Sequence, residues 1–222
     1  MSRGLFVSLE GSEGCGKSTQ SARLVERLQA EGYRVRALRE PGGTPLGEEI
    51  RHTLKHSPAG RGMTPEAELL LMNAARAQLV REIIRPALES GEVVVCDRFL
   101  DSTVAYQGWG RCLAPDRVRQ ILEFAVGETI PDLTLLFDVP AEVSALRRRV
   151  RECGAGGLLG GDRFEQEDTA FFERVAAGFR AIAAAEPGRV VVIDASPAVD
   201  VVSERVWMEV AAKLSDVSLD ED

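Results

Sequence analysis

The chain has 222 residues, of which 45% are hydrophobic and 28% are charged, as in an ordinary single globular domain. The net charge of −8 argues against a protein that coats nucleic acid, so an anionic ligand must be met by local groups of arginine and by backbone dipoles. The four cysteines have no metal-ligand spacing and no apolar run reaches the length of a membrane span, so we expect free thiols, no membrane partner, no signal peptide and a cytoplasmic location.

The start of the chain predicts a loop that binds a nucleoside triphosphate. Residues 5–10 form a short apolar run typical of a strand, and residues 11–19 then match the pattern G-x-x-x-x-G-K-[ST] in full. A helical stripe over residues 18–31 follows, so that backbone N–H groups and a helix N-terminus would meet phosphate oxygens. Lys17 would reach the β- and γ-phosphates, and the Ser18 hydroxyl would ligate Mg²⁺. The predicted ATP-binding residues are Gly11, Ser12, Glu13, Gly14, Cys15, Gly16, Lys17, Ser18 and Thr19.

Strands and helices alternate along the rest of the chain. Further strands are predicted at residues 34–38, 93–96, 133–137 and 189–193. Helices are predicted at residues 46–54, from 64 towards 88 with a break near Pro86, and at 115–126, 143–151, 169–185 and 198–214. The central strands are unbroken apolar runs, which indicates a parallel sheet covered by helices on both faces.

The predicted fold class is therefore α/β, with five parallel strands in a single domain over residues 1–215. Residues 216–222 are an acidic tail that we expect to be disordered. Ligands of such a sheet bind beyond the carboxyl ends of the strands. Asp97 follows the strand at 93–96, where its carboxylate could hold Mg²⁺ or one of its waters opposite Ser18. The alternative is a strand-end acid that merely pairs with Arg98.

Two sets of arginines are candidates for binding phosphate. Arg51, Arg76 and Arg98 lie on segments that should open onto the crevice, where a guanidinium donates bidentate hydrogen bonds to phosphate, although each could equally be a solvated surface residue. A second set follows the predicted helix at 143–151, which runs into a glycine-rich stretch. This pattern predicts a mobile lid over about residues 152–166, which would close positive charge over the transferred group and exclude water, or else an ordinary charged helix and a flexible loop. The arginines of this set are Arg147, Arg148, Arg149, Arg151 and Arg163.

Five segments together resemble the bacterial thymidylate kinase family, over nearly the whole chain. They read EGSEGCGKST at 10–19, REPGGT at 39–44, AARAQ at 74–78, DRFLDSTVAYQG at 97–108 and DRFE at 162–165. The resemblance implies a P-loop nucleoside monophosphate kinase fold with a mobile lid and Mg²⁺-dependent transfer of a phosphoryl group from ATP to dTMP, giving dTDP for dTTP biosynthesis. It also implies a homodimer, while the net charge of −8 argues against a nucleic-acid partner.

The same resemblance implies roles for single residues. Arg51 and Arg98 would hold the dTMP phosphate, and Arg76 would contact the thymine edge. Thr103 and Gln107 would hydrogen-bond the base, and Tyr106 would pack beside the sugar. Glu13 would face the sugar 3′-hydroxyl and the metal. Met72 stands where the family usually stacks a phenylalanine on thymine, and a thioether covers an aromatic face with looser geometry.

The catalytic arginine is expected in the lid, since Gly14 stands where one branch of the family has an arginine. The predicted catalytic residues are Lys17, Glu13, Arg98, Arg148, Arg151 and Arg163. Three other functions remain open at this point. One is a kinase for another monophosphate, such as dUMP or CMP. A second is a GTPase-type switch, although this sequence lacks the guanine-reading Asn-Lys-x-Asp motif. The third is an inactive P-loop protein, which the intact Lys17, Ser18 and Asp97 disfavour.

Overall fold

The computed structural model describes residues 3–140, 142–144, 146–147, 163–164 and 167–219, with side chains to residue 216. The expected lid arginines Arg148 and Arg151 lie outside the described residues, as does most of the segment 152–166. In the described part of the chain no helix is long and apolar enough to span a bilayer. Cys15, Cys96 and Cys112 are free thiols, as predicted.

One sheet of five parallel strands forms the centre of the molecule. The strands are β1 (Phe6–Gly11), β2 (Val35–Arg39), β3 (Val93–Asp97), β4 (Leu133–Asp138) and β5 (Val190–Asp194), in the spatial order β2-β3-β1-β4-β5. Every pairing is parallel, and Val7 of β1 lies opposite Val95 of β3 and Leu133 of β4. The predicted α/β class and the five-stranded sheet are confirmed.

The helices fill the connections between the strands. They are α1 (Lys17–Ala30), α2 (Pro45–Lys55), α3 (Pro65–Leu79), α4 (Arg85–Glu89), α5 (Leu100–Thr103), α6 (Pro115–Val126), α7 (Thr169–Ala185) and α8 (Val199–Leu219). A 3₁₀ turn covers Pro58–Gly60, π-helices cover Val80–Ile84 and Val104–Gly110, and residues 142–144 and 146–147 are also helical. Helix α3 begins as its sequence predicts, because the Thr64 side chain accepts the Ala67 N–H and Pro65 occupies the first turn.

The structure corrects the sequence reading in three places. The break expected at Pro86 lies earlier, in the π-helix Val80–Ile84, while Pro86 sits in the first turn of α4, where a missing N–H costs little. The segment after β3, for which no helix was predicted, forms α5 and the π-helix Val104–Gly110. The last helix, α8, ends at Leu219 and not at the predicted residue 214.

The core lies on both faces of the sheet, because successive side chains of a strand point to opposite sides. On one face Val7 and Leu9 pack in a cluster with Leu28 of α1 and Val206 of α8. On the other face Phe6 packs in a cluster with residues of α4, α6 and the first π-helix. Burial on both faces holds the carboxyl ends of β1 and β3 at a fixed edge, where the P-loop and Asp97 emerge.

Candidate active site

The loop between β1 and α1 has the tight turn that its glycines predict. Gly16 has a φ of 97° directly before α1 begins at Lys17, a conformation that residues with a Cβ rarely adopt. A Cβ on Gly11 would lie 2.4 Å from the carbonyl oxygen of Phe137, so β4 also leaves room there only for glycine. The loop therefore ends against a helix N-terminus, the arrangement that binds phosphate.

The Lys17 side chain folds back and donates hydrogen bonds to this loop. Its Nζ donates to the carbonyl oxygens of Gly11 at 2.9 Å and Ser12 at 2.8 Å, and the side chain is only 6% exposed. These contacts hold the ammonium group at the cradle, where the loop carbonyls supply its hydrogen bonds.

The predicted metal ligands lie next to each other. The Ser18 hydroxyl donates to Asp97 Oδ2 at 2.7 Å, and both residues line the same cavity. A hydroxyl and a carboxylate in contact are the kind of hard oxygen donors that Mg²⁺ prefers. No group of three or more His, Cys, Asp or Glu side chains suited to a metal occurs among the described residues, so water or phosphate oxygens would have to complete the shell.

Arg98 connects β3 to the P-loop. Its Nη2 donates to Glu13 Oε1 at 2.7 Å, its Nη1 donates to the Ser102 hydroxyl at 3.0 Å, and its guanidinium lies 4.9 Å from the ring centroid of Tyr106. The residue has a φ of 73°, which is strained for a side chain with a Cβ. Burial would lower the pKa of this guanidinium, but the surrounding Tyr106, Glu13, Asp97 and Glu10 together raise the pKa. Arg98 is thus a fixed cation.

A single cavity of about 480 Å³ brings together most of the residues that the sequence singled out. It runs along the P-loop and along a wall that we call the helical wall, formed by Met72, Arg76, Thr103, Tyr106 and Gln107. Gly11, Ser12 and Cys15 of the loop are not among its described lining residues. The lining residues that had been predicted are Glu13, Gly14, Gly16, Lys17, Ser18, Thr19, Arg51, Met72, Arg76, Asp97, Arg98, Thr103, Tyr106 and Gln107.

Arg76 lines the cavity, but its N–H groups donate hydrogen bonds to other residues of the protein. Its Nε and Nη2 lie 2.8 Å and 2.6 Å from Glu40 Oε2, and its Nη1 donates to the Asn73 side chain and, at 2.8 Å, to the Thr103 hydroxyl. Nη2 also donates to the Phe99 carbonyl oxygen. The expected contact of Arg76 with a nucleobase would therefore have to replace one of these bonds.

Arg163, expected in the lid near the phosphates, contacts other residues in this structure. It donates to Glu68 Oε2 at 2.5 Å and to the carbonyl oxygen of Leu54, and it is not among the described side chains that line the cavity. The buried carboxylate of Glu68 pairs with this guanidinium, a contact that sequence reasoning missed because the two residues are 95 positions apart. The expected approach of Arg163 to the phosphates stays a prediction, and it would require Arg163 to leave Glu68.

Sequence reasoning also missed several cavity residues. Lys55 lies on the same face of α2 as Arg51, and the i, i+4 spacing of the two cations was a usable signal. Glu40 lies in the REPGGT motif, yet no role followed from it; burial raises its pKa above the ordinary value. Its Oε1 is the one buried side-chain N or O atom without a hydrogen-bond partner in the part of the chain that the structure describes. Arg39, Pro41, Ser102 and Phe164 complete the missed residues, whereas Arg147, which the sequence had grouped with the lid arginines, also lines the cavity.

A second buried carboxylate, that of Glu10, accepts hydrogen bonds from the segment after β3. Glu10, at the end of β1, accepts hydrogen bonds from the Phe99 N–H at 2.7 Å and from the Ser102 hydroxyl at 2.5 Å. Burial, together with the nearby Asp101, raises the pKa of Glu10 to about 7. Since Ser102 in turn accepts from Arg98, Glu10 helps to hold the strained segment after β3.

Comparison with known proteins gives the family. The family model described as thymidylate kinase matches residues 9–206. The thymidylate kinase of Pseudomonas fluorescens strain Pf-5 is 53% identical over 193 residues, which cover 87% of this chain and 88% of that protein. That of Synechococcus sp. strain JA-3-3Ab is 49% identical over 210 residues, which cover 95% of this chain and 97% of that protein. This chain belongs to the thymidylate kinase family.

A solved member of the thymidylate kinase family has the same fold. The crystal structure of thymidylate kinase from Ehrlichia chaffeensis superimposes with a TM-score of 0.76 at 31% identity, covering 94% of this chain and 99% of that one. The residues matched by the thymidylate kinase model include every described residue that lines the cavity.

Proposed function

We propose that this chain is a dTMP kinase, which transfers the γ-phosphoryl group of ATP to dTMP and releases ADP and dTDP. The observation that carries the proposal is the continuity of the cavity. One space of about 480 Å³ is lined both by the phosphate-binding Lys17 and by the helical wall, so that two nucleotides can meet in it end to end. Membership of the thymidylate kinase family supports dTMP as the acceptor.

The chemistry requires alignment and neutralisation of charge more than it requires an acid or a base. The P-loop N–H groups and Lys17 bind the phosphates of ATP. Arg51 and Arg98 bind the phosphate of dTMP, since both guanidiniums line the cavity and Arg98 is fixed by its contact with Glu13.

Ser18 and Asp97 would hold Mg²⁺, because their oxygens meet at 2.7 Å on the cavity wall. When bound, the ion would neutralise part of the negative charge of the triphosphate. Glu13 lines the same cavity and would face the sugar hydroxyl of dTMP, and its ion pair with Arg98 keeps its carboxylate in place.

The helical wall would take the nucleoside of dTMP. Gln107 and Thr103 are polar groups at the wall that can hydrogen-bond a base, and Met72 and Phe164 supply apolar surface around it. Tyr106 would pack beside the sugar; its ring lies in edge-to-face contact with Phe164, at 6.3 Å between centroids, and with Phe171. Those contacts fix the ring.

The proposal is tested by turnover of the purified protein with ATP and Mg²⁺ on a panel of dTMP, dUMP, CMP and dCMP, with ADP release as the readout. We expect dTMP to give the highest kcat/KM. A preference for another monophosphate would replace dTMP in the proposal. Hydrolysis of GTP without transfer to any monophosphate would instead indicate a switch protein.

We also propose that the chain forms a homodimer. Leu70 of α3 is 57% exposed and Phe124 of α6 is 85% exposed, and these two helices pack against each other. Two large apolar side chains on neighbouring helices favour a face that a second copy covers. Sedimentation of the wild type and of Phe124→Asp tests this assignment: the wild type should sediment as a dimer and the variant as a monomer.

A further inference from the structure

Glu68 is the centre of a buried charge cluster behind the helical wall. Its side chain is 0% exposed, and it accepts hydrogen bonds from three residues. Gln107 Nε2 donates to Oε1 at 2.7 Å, Arg111 donates to both oxygens at 3.2 Å and 3.0 Å, and Arg163 Nη2 donates to Oε2 at 2.5 Å. Glu68 itself is not among the described residues that line the cavity.

The two arginines fix this carboxylate in place with charge-assisted hydrogen bonds. A buried carboxylate is stable as an anion only with charged donors around it. Arg111 is held in turn by Glu167 at 2.7 Å and lies over the ring of Phe171, while Arg163 also donates to the carbonyl oxygen of Leu54. Through these two arginines Glu68 is linked to α2, to α7 and to the residues before α7. Contacts with several elements fix the position of its carboxylate.

This anchoring decides which way the amide of Gln107 points. An ionised carboxylate only accepts hydrogen bonds, so the NH₂ group of Gln107 must face Glu68. The opposite orientation would place the amide oxygen against a buried negative charge. One N–H of Nε2 is committed to Glu68 at 2.7 Å, and this orientation makes the amide oxygen the acceptor that Gln107 can offer to a ligand in the cavity that it lines.

We propose that Glu68 is a positioning residue that fixes the amide of Gln107 with its oxygen available to the pyrimidine, and that it thereby selects thymine over cytosine. The inference rests on the proposed function of the site. Thymine and uracil carry an N–H at N3, which donates to the amide oxygen, whereas N3 of cytosine is itself an acceptor. Two facing acceptors leave one buried group without a partner, so cytosine is rejected.

The decisive experiment compares Glu68→Gln with the wild type on dTMP, dUMP and dCMP. The introduced side chain has nearly the same shape as the native one but can accept or donate, so the amide of Gln107 gains both orientations. We expect the ratio of kcat/KM for dTMP to that for dCMP to fall by about 10- to 100-fold, as one misoriented hydrogen bond implies. The ratio of dTMP to dUMP should stay unchanged, because both bases carry the N3 hydrogen.

A purely structural role gives a different result. If Glu68→Gln lowers kcat/KM for the three substrates by one common factor, the proposal is overturned. The matched control is Glu167→Gln, which removes the outer partner of Arg111 and leaves Glu68 and Gln107 in contact; its dTMP to dCMP ratio should equal that of the wild type. An equal fall in this control would also overturn the proposal, because the effect would then come from general loosening.

Removing the charge of Glu68 takes this carboxylate away from Arg163 and can prevent folding. The charge-balanced variant Glu68→Gln with Arg163→Met avoids this cost, and it should show the same fall in the dTMP to dCMP ratio. The proposed function has its own check in the wild type. If the wild type does not prefer dTMP, the proposed function fails and the inference fails with it. If the wild type prefers dTMP but the dTMP to dCMP ratio is unchanged in Glu68→Gln and in the double variant, only the role of Glu68 is contradicted and the proposed function stands.

Discussion

Arg98 donates to Glu13 across 2.7 Å, and this contact joins the end of β3 to the P-loop. Glu13 comes from the ATP-binding loop, and Arg98 comes from the segment that meets the dTMP phosphate in the proposed reaction. The pair therefore fixes the distance between the two halves of the site before any ligand binds. The strained φ of 73° at Arg98 is part of how the chain reaches this position.

Arg98→Ala and Arg98→Gly separate the function of this side chain from its strain. Both variants lose the charge-assisted hydrogen bonds to phosphate, so kcat/KM for dTMP should fall by about 10- to 100-fold or more. Glycine tolerates the φ of 73°, so Arg98→Gly should have a free energy of unfolding about 1 kcal/mol higher than Arg98→Ala. Urea titrations and steady-state kinetics measure the two effects. Equal stability of the two variants would show that the backbone at this position is not strained.

Lys17→Ala tests the P-loop. The side chain serves the phosphates rather than the apolar core, so we expect a loss of about 3 to 4 kcal/mol of transition-state stabilisation, roughly 10²- to 10³-fold in kcat/KM, with a retained fold. Steady-state kinetics and far-UV circular dichroism check both parts. Lys213→Ala on α8 is the matched control and should behave like the wild type. Near wild-type activity of Lys17→Ala would contradict the role assigned to the lysine.

Asp97→Asn tests the proposed metal ligands. The amide keeps the shape of the side chain but loses the charge that holds Mg²⁺ beside Ser18, so the Mg²⁺ concentration for half-maximal activity should rise by about 10-fold or more. Activity measured over a titration of Mg²⁺ at saturating ATP gives this concentration. An unchanged titration curve would remove Asp97 from the metal site.

Glu10 should make stability depend on pH. Burial raises its pKa from 4.5 to about 7, so between these pH values the folded protein keeps a proton that the unfolded chain has lost. The contribution of Glu10 to the free energy of unfolding is thus fully present below the lower value and falls by up to about 3 kcal/mol as the pH rises through the upper one. Urea unfolding of the wild type and Glu10→Gln at several pH values measures the difference. Parallel pH profiles of the two proteins would count against a buried, titrating Glu10.

Gly178→Ala tests the packing of α7 on the second π-helix. A Cβ on Gly178 would lie 2.7 Å from Cγ of Trp109, so the indole ring must move and the free energy of unfolding should fall by about 1 to 3 kcal/mol. Gly108→Ala is the control, because a Cβ there meets no atom within 4 Å. This control should be neutral or slightly stabilising in thermal and urea denaturation. Equal losses in both variants would argue against close packing at Gly178.

Much of the fold was predictable from local patterns. The apolar runs gave the strands to within one residue, and the Thr64-Pro65 start and the stripe of α7 gave helix positions, because burial and capping act over a few neighbouring residues. The π-helix Val104–Gly110 was not predictable in this way. Its sequence has no simple apolar period, and its shape depends on close packing against α7, where Gly110 and Gly178 leave room for Phe171 and Trp109.

The sequence by itself determined the phosphate cradle, its lysine and the acid at the end of β3, since each of these is encoded by adjacent residues of fixed spacing. Only the tertiary structure decided how the charges pair. Arg76 is turned to Glu40 and Arg163 to Glu68, over separations of 36 and 95 residues, and no local pattern announces such partners. The physical reason is burial: a carboxylate removed from water must take the guanidinium that the fold brings near it, whichever segment that cation comes from.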